Sequence, residues 1–203
     1  MPLKYANNQS LTSTTALPAA VPTDNLILIS TQTASASATI SFTTGLNSTY
    51  DEYIFSFINI HPANDAQAFN FQCSTDGGSN YNVSLTSTYF NAFHDESDAT
   101  TNLTYLVNRD QSNGTSFQEI MFNIGNDNDQ NGSGFLTLFN PSSTTYVKHF
   151  ISHANNAHHL DRSNENFVAG YFNTTSAINA IQFKMSSGNI DDGIIKMYGV
   201  KKS

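Results

Sequence analysis

The segment EYIFSFINI, residues 52–60, decides the fold class of this 203-residue chain. Its aromatic and β-branched residues favour a strand. Alternation along a strand places both of its phenylalanines on one face and Ile54, Ile58 and Ile60 on the other. Since both faces are apolar, the segment predicts a central strand covered on both sides, by a second sheet and by a neighbour.

Similar runs precede and follow this segment, and clusters of glycine and asparagine such as DGGSN and NDNDQNGSG separate them. The runs recur about every 10–15 residues, and none shows a helical period of 3.6. This pattern predicts an all-β chain, folded as an antiparallel β-sandwich of jelly-roll type. The stretch 94–115 is poor in apolar residues and is expected to be a long surface excursion.

Residues 1–25 are polar, contain Pro18 and Pro22 and show no periodicity. They are expected to form an extended N-terminal arm, which either clasps a neighbouring subunit or is a loose terminus. Residues 26–203 are expected to form the β-sandwich domain. The first residues lack the apolar stretch of a secretory signal.

The composition excludes several classes of protein. The net charge is −8 with only 8 lysines and arginines, which argues against nucleic acid as a partner. No apolar run is long enough to span a membrane. The single cysteine, Cys73, permits no intramolecular disulfide and is expected to be a small buried residue.

One segment resembles the beginning of a calcium loop. Asp127, Asp129 and Asn131, followed by Gly132, space oxygen ligands as such loops do. The flanking strands and Leu138 at the position of the final glutamate exclude an EF-hand. A Ca²⁺-binding hairpin loop remains as one interpretation, and an ordinary Asn-Gly turn is the other. No other cofactor is expected.

Candidate catalytic and metal-binding groups are sparse. His149 and His153 share one side of a predicted strand, but about 13 Å of strand separates them, too far to share one ion. The nearby pair His158-His159 adds two more imidazoles, and a structural or interface role is expected for all four. Asp95, Glu96 and Asp98 could supply a pair of carboxylates for glycoside hydrolysis, although an acidic solvated loop is the simpler interpretation.

Two further patterns concern loops and sugars. The segment STDGGSNY, residues 74–81, resembles an Asp-box with tyrosine in place of tryptophan and predicts a β-turn. Aromatic rings can stack on sugar rings, and amides can bind hydroxyl groups. The candidates for sugar binding, each with core or subunit packing as the alternative role, are Tyr81, Tyr89, Phe90, Tyr105 and Tyr146.

Several longer strings resemble a family of small proteins common in the genomes of marine tailed bacteriophages. They are NLILISTQTASASATISFTTGLNSTYDEYIFSFINIHP, FQCSTDGGSNYN, LFNPSSTTYVKHFI and AGYFNTTSAINAIQFKMSSGNIDDGIIKMYGVKK. The resemblance covers the start MPLKYANNQS and nearly all of the chain from Leu26. The ending IKMYGVK is similar to terminal strands of phage tail and fibre proteins. The resemblance implies a virion structural protein and brings no catalytic residues with it.

The expected function is therefore non-enzymatic, as a capsid decoration or cement protein on the particle surface. The alternative is a tail or tail-fibre component that binds carbohydrate during host attachment. The expected partners are other virion proteins and further copies of the chain, with a trimer as the expected oligomer. Under the alternative function, a surface glycan is a further partner. The expected location is the virion, after synthesis in the bacterial cytoplasm and release by lysis.

Overall fold

A computed structural model describes residues 25–202. The described chain forms twelve antiparallel strands and contains no helix, which confirms the predicted all-β class. The strands are β1 (Leu26–Ser37), β2 (Ile40–Phe42), β3 (Glu52–Pro62), β4 (Gln67–Ser74), β5 (Leu85–Asp95), β6 (Thr101–Tyr105), β7 (Gln118–Ile124), β8 (Gly132–Phe139), β9 (Lys148–His158), β10 (Arg162–Phe172), β11 (Ala180–Met185) and β12 (Ile190–Val200).

The strands join into one hydrogen-bonded sheet in the order β1-β12-β3-β8-β9-β7-β4-β11-β2. The ends of this order, β1 and β2, are consecutive in the chain, so the sheet is nearly closed. The link between β9 and β7 is a single residue pair, Ile124 opposite His158. Along the opposite edge of β9 the sheet continues through β10 and β5 to β6. We call these four strands, β9, β10, β5 and β6, the extension.

The pairing is nested from the chain ends inward. The first four strands pair in turn with β12, β11, β8 and β7. In addition β12 pairs with β3 and β11 pairs with β4. The two hairpins of the extension, β5-β6 and β9-β10, are inserted between strands of this nested set.

Phenylalanine rings fill the space enclosed by the sheet. Phe183 of β11 is fully buried and lies at the centre of this core. Its ring centroid is 5.3–6.4 Å from five others, those of Phe42, Phe55, Phe57, Phe69 and Phe71. These rings come from β2, β3 and β4, so contacts through Phe183 tie strands that are distant in sequence.

The central position predicted for residues 52–60 is confirmed, because β3 lies between β12 and β8. The predicted face of Ile60 is wrong: Ile60 is fully buried with the phenylalanines. The register shifts between Phe57 and Ile60, where Asn59 has a φ of 52°. A bulge of this kind adds one residue to the alternation and moves the next side chain to the opposite face.

The surface excursion predicted at 94–115 contains a strand, β6, which pairs with β5. The alternation in this strand is hard to recognise because it is an edge strand with mostly exposed side chains. The predicted arm at 1–25 lies outside the described residues except for Asn25, whose carbonyl accepts a hydrogen bond from the backbone of Lys201. Residues 25–202 contain no helix suited to crossing a membrane.

Candidate functional site

A row of aromatic side chains crosses the outer face of the sheet from β8 to β6. Its members lie directly opposite one another in the register, in the order Phe135, His153, Phe167, Phe90 and Tyr105. The rings of Phe167 and Phe90 stack at 4.8 Å, and those of His153 and Phe167 stack at 4.4 Å. We call these five residues the aromatic row. With strands about 4.8 Å apart, it extends over roughly 19 Å.

Much of the aromatic row is open to solvent. The exposed fractions are 40% for Phe90, 42% for Phe135 and 47% for Tyr105, and the neighbouring Ile151 is 50% exposed. A shallow depression of about 380 Å³ runs along the row, and a second one of about 430 Å³ lies beside it on this face. Single exposed apolar residues are common, but a contiguous apolar patch marks an interaction surface. The aromatic row therefore is a candidate binding face.

Two residues of the aromatic row contact carboxylates. Nε2 of His153 lies 2.5 Å from a carboxylate oxygen of Glu165 on the next strand. At the other end, the hydroxyl of Tyr105 donates to Asp110 at 2.5 Å, and this hydrogen bond raises the pKa of Tyr105. Both contacts place a carboxylate beside the aromatic row.

A chain of buried polar side chains lies on the inner face of the extension. The hydroxyl of Tyr89 donates to Oδ1 of Asn166 at 2.9 Å, and Nδ2 of Asn166 donates to Oδ1 of Asn156 at 2.9 Å. Asn156 in turn donates to the backbone carbonyl of Phe122 at 3.3 Å. The chain thus connects β5, β10, β9 and β7 at the place where the main-chain ladder between β9 and β7 is a single pair.

Beside this chain lies an open cavity of about 290 Å³, lined by residues of the extension and of β7. Its polar lining includes Asn91, Asn164 and Arg162, and its apolar walls include Phe93 and Phe122. The sequence did not indicate this cavity, because its residues come from four separate segments.

His158 also lines the cavity and remains neutral near pH 5. Its pKa is lowered from 6.5 to about 4, mainly by burial and then by the positive charges of His159, Arg162 and Arg109. Its Nδ1 accepts a hydrogen bond from the backbone of Leu160, as a neutral imidazole can. Protonation of His158 therefore destabilises the folded state.

We expect the titration of His158 to lower the free energy of unfolding by about 2–3 kcal/mol as the pH drops from 6.5 to 4. In that window the unfolded imidazole binds a proton and the folded one does not, so stability decreases with acidity. Urea unfolding at several pH values should show a smaller decrease for His158→Asn, which retains an acceptor for Leu160 but does not titrate. Parallel curves for the two proteins would contradict this assignment.

The proposed calcium ligands Asp127, Asp129 and Asn131 lie together in the loop between β7 and β8. Both aspartates are exposed. The loop closes as a turn, with the backbone of Gln130 donating to the carbonyl of Asp127 at 2.8 Å. No group of three His, Cys, Asp or Glu suited to a metal occurs within residues 25–202. Calcium binding by this loop stays a prediction.

Two of the five proposed sugar-binding residues, Phe90 and Tyr105, come together in the aromatic row. Tyr89 is fully buried on the opposite face of β5, whereas Tyr146 is exposed in the loop before β9 and Tyr81 follows the turn after β4. Phe135 and Phe167 are not among the five residues proposed from the sequence. The alternation in β8 and β10 could have indicated that they face outward, because each lies on the side opposite to the buried residues.

The other candidate groups have local structural partners. His149 and His153 both face outward, beside Tyr171 and Phe167 respectively. His158 and His159 stack on each other at 4.4 Å. Of the carboxylates considered for catalysis, Asp95 pairs with Arg162 at 2.5 Å and Asp98 with His94 at 3.0 Å, while the backbone of Glu96 donates to Asp161. Cys73 is buried as expected, and burial raises the pKa of its thiol.

The predicted β-turn after β4 is confirmed. Asp76 accepts hydrogen bonds from the Ser74 hydroxyl at 2.6 Å and from the Asn80 backbone at 2.9 Å. These bonds lower the pKa of Asp76 to about 2. Gly77 and Gly78 have φ values of 75° and 90°, in the region that favours glycine. The motif is thus a structural turn in this chain.

Comparison with known proteins gives no family for this chain. No protein-family model matches the sequence. No curated protein matches it either. The aromatic row and the cavity are therefore the features on which a function can be based.

Proposed function

We propose that this chain is a non-enzymatic structural protein of a tailed-bacteriophage particle that self-associates through the aromatic row. The observation that carries the proposal is the contiguous exposed row on a sheet face. Apolar and aromatic residues are enriched in the buried centres of protein interfaces. Phe90, Phe135 and Tyr105 would lose their contact with water in such an interface.

The charge distribution favours another copy of the chain as the partner that binds the aromatic row. A net charge of −8 makes copies repel one another, so they would associate through a face with few free carboxylates. Among the outward-facing residues of β8, β9, β10 and β5 around the row, the acidic one is Glu165, and it is paired with His153. A homo-oligomer, namely a trimer, is the proposed form.

We further interpret the nested pairing as a two-layer jelly roll extended by two hairpins. In a jelly roll, a long antiparallel ribbon is wrapped so that its outer strands also pair with inner ones. Pairing of β1 to β4 with β12, β11, β8 and β7 supports this interpretation. The rings that meet between β4 and β3, such as Phe69 and Phe57 at 5.2 Å, support the presence of two packed layers.

The oligomer would decorate or cement the capsid, with other virion proteins as its partners. The resemblance to small proteins of marine tailed phages supports this location, with synthesis in the bacterial cytoplasm and release by lysis. Immunogold labelling of purified particles with an antibody to this chain tests it. Label spread over the head is expected, and particles without label, whether intact or opened, would contradict the proposal.

The second candidate is a tail or tail-fibre module that binds a surface glycan. The observation that favours it is the cavity lined by asparagine amides and phenylalanine rings. Label confined to the tail in the same immunogold experiment would favour this candidate over the decoration role.

Replacing Phe90 and Phe135 by serine is expected to weaken self-association about 30-fold or more. The estimate corresponds to about 2 kcal/mol, the threshold for an interface hot spot. Both residues are partly exposed, so the fold should persist. Analytical ultracentrifugation over a range of concentrations measures the effect.

Tyr146→Ser is the matched control, because Tyr146 is an exposed aromatic residue outside the row. It is expected to leave self-association unchanged. A wild-type chain that stays monomeric at high concentration, or a control as impaired as the double variant, would overturn the role of the aromatic row.

A further inference from the structure

The cavity between the extension and β7 contains buried polar atoms that the fold itself leaves without partners. Asn91 and Asn164 are each 1% exposed and both line the cavity. Nδ2 of Asn91 donates to Oδ1 of Asn164 at 3.2 Å. Within residues 25–202, Oδ1 of Asn91 and Nδ2 of Asn164 have no hydrogen-bond partner. Such a buried group costs about 1–3 kcal/mol, so two of them at one cavity leave hydrogen-bonding capacity that a polar ligand could use.

The two amides together offer one acceptor and one donor. A hydroxyl group can both donate and accept, so neighbouring hydroxyls on one molecule match this arrangement. Nδ1 of His159, which also lines the cavity, is likewise buried and without a partner in the described part of the chain. These atoms could bind several hydroxyls of one ligand.

The charges around the cavity favour a neutral ligand. The guanidinium of Arg162 lies 2.5 Å from Asp95 and 4.8 Å from the ring centroid of Phe93. Arg109 forms an ion pair with Glu119 and lies 4.1 Å from the ring centroid of Phe122. Both arginines are therefore neutralised by carboxylates, which leaves little attraction for an anion.

The walls and the size of the cavity fit a single sugar ring. Phe93 and Phe122 provide apolar surface for the C–H groups of such a ring, and Thr104 adds a hydroxyl. The volume of about 290 Å³ is at the lower end of the range for ligand sites. Of a longer oligosaccharide, only one terminal sugar unit would fit in the cavity.

We propose that this cavity binds one neutral pyranose unit, through the amides of Asn91 and Asn164. The site is separate from the aromatic row: it lies on the inner face of the extension, and the row lies on the outer face. The proposal deepens the second candidate function, glycan binding, and rests on it. Sugar binding here does not depend on self-association, so it and the role of the aromatic row can fail independently.

Titration of the ¹⁵N-labelled chain with D-glucose, D-galactose, D-mannose and N-acetyl-D-glucosamine tests the proposal. At least one sugar is expected to shift the side-chain amide resonances of Asn91 and Asn164 in a saturable manner. No saturable shift with any of the four would overturn the proposal. Saturable shifts with uridine but none with the sugars would overturn it as well.

Two variants establish the location of the binding site. Asn164→Leu removes the donor, but it also changes a residue that is only 1% exposed and so tests folding as well as binding. Thr104→Phe is therefore the second variant: it fills the cavity and leaves both asparagines in place. Thr104→Phe is expected to abolish the sugar-dependent shifts. Asn155→Leu, on the outer face of β9, is the control and should leave them unchanged. Shifts that persist in Thr104→Phe, or that map to the aromatic row, would overturn the cavity as the site.

Discussion

Replacing Phe183 by alanine is expected to lower the free energy of unfolding by about 3–5 kcal/mol. The ring is fully buried and contacts five other phenylalanine rings, of which that of Phe69 is stacked at 5.7 Å. Truncation removes these contacts and leaves a space that rings from β2, β3 and β4 cannot all fill. For a domain of ordinary stability, this loss is a large part of the total.

Urea unfolding followed by circular dichroism measures this effect, and Phe135→Ala is the control. Phe135 is the same residue type but lies on the outer face and is 42% exposed. Its replacement should cost less than about 1 kcal/mol. Equal losses for the two variants would show that Phe183 is not the centre of the core.

Replacing Asn166 by alanine is expected to cost about 3–4 kcal/mol, because the change leaves other buried groups without partners. Asn166 accepts from the hydroxyl of Tyr89 and donates to the amide of Asn156. It also donates to the carbonyl of Ala154 at 3.3 Å. These bonds hold β10 to its neighbours β5 and β9, and Asn156 in turn donates to the carbonyl of Phe122 in β7. We therefore expect increased hydrogen exchange in β5 and β10 before global unfolding.

Hydrogen exchange measured by NMR or mass spectrometry tests this prediction together with chemical denaturation. Asn155→Ala is the control: Asn155 is exposed, on the neighbouring strand, and its amide donates to Ser163 at 3.0 Å. A small effect, within about 0.5 kcal/mol, is expected for it. A uniform increase in exchange throughout the Asn166 variant would contradict a local role of the polar chain.

The sequence predicted the fold class because alternation is a local property of each strand. In β11, Ile181, Phe183 and Met185 are buried and the residues between them are partly exposed, as period-two alternation requires. The central position of residues 52–60 followed from their two apolar faces. The face of Ile60 could not be predicted, since the bulge at Asn59 depends on how β3 pairs with β8 and β12.

The candidate sites were predicted less well, for a physical reason. Phe90 and Tyr105 were selected as aromatic residues that could stack on sugar rings, but their alignment with Phe135, His153 and Phe167 depends on the register of five strands. Register is set by long-range pairing, which no local pattern specifies. The turn at residues 74–81 was predicted correctly, because its hydrogen bonds lie within a few residues of one another.

The sequence by itself determined the all-β class and most of the strand segments, because these depend on composition and alternation. It did not indicate β6 or β10. Only the tertiary structure placed the aromatic row on one face and the amides of Asn91 and Asn164 at one cavity. Both features bring together residues from separate strands. Their positions follow from strand order and register, which are decided when the whole core packs.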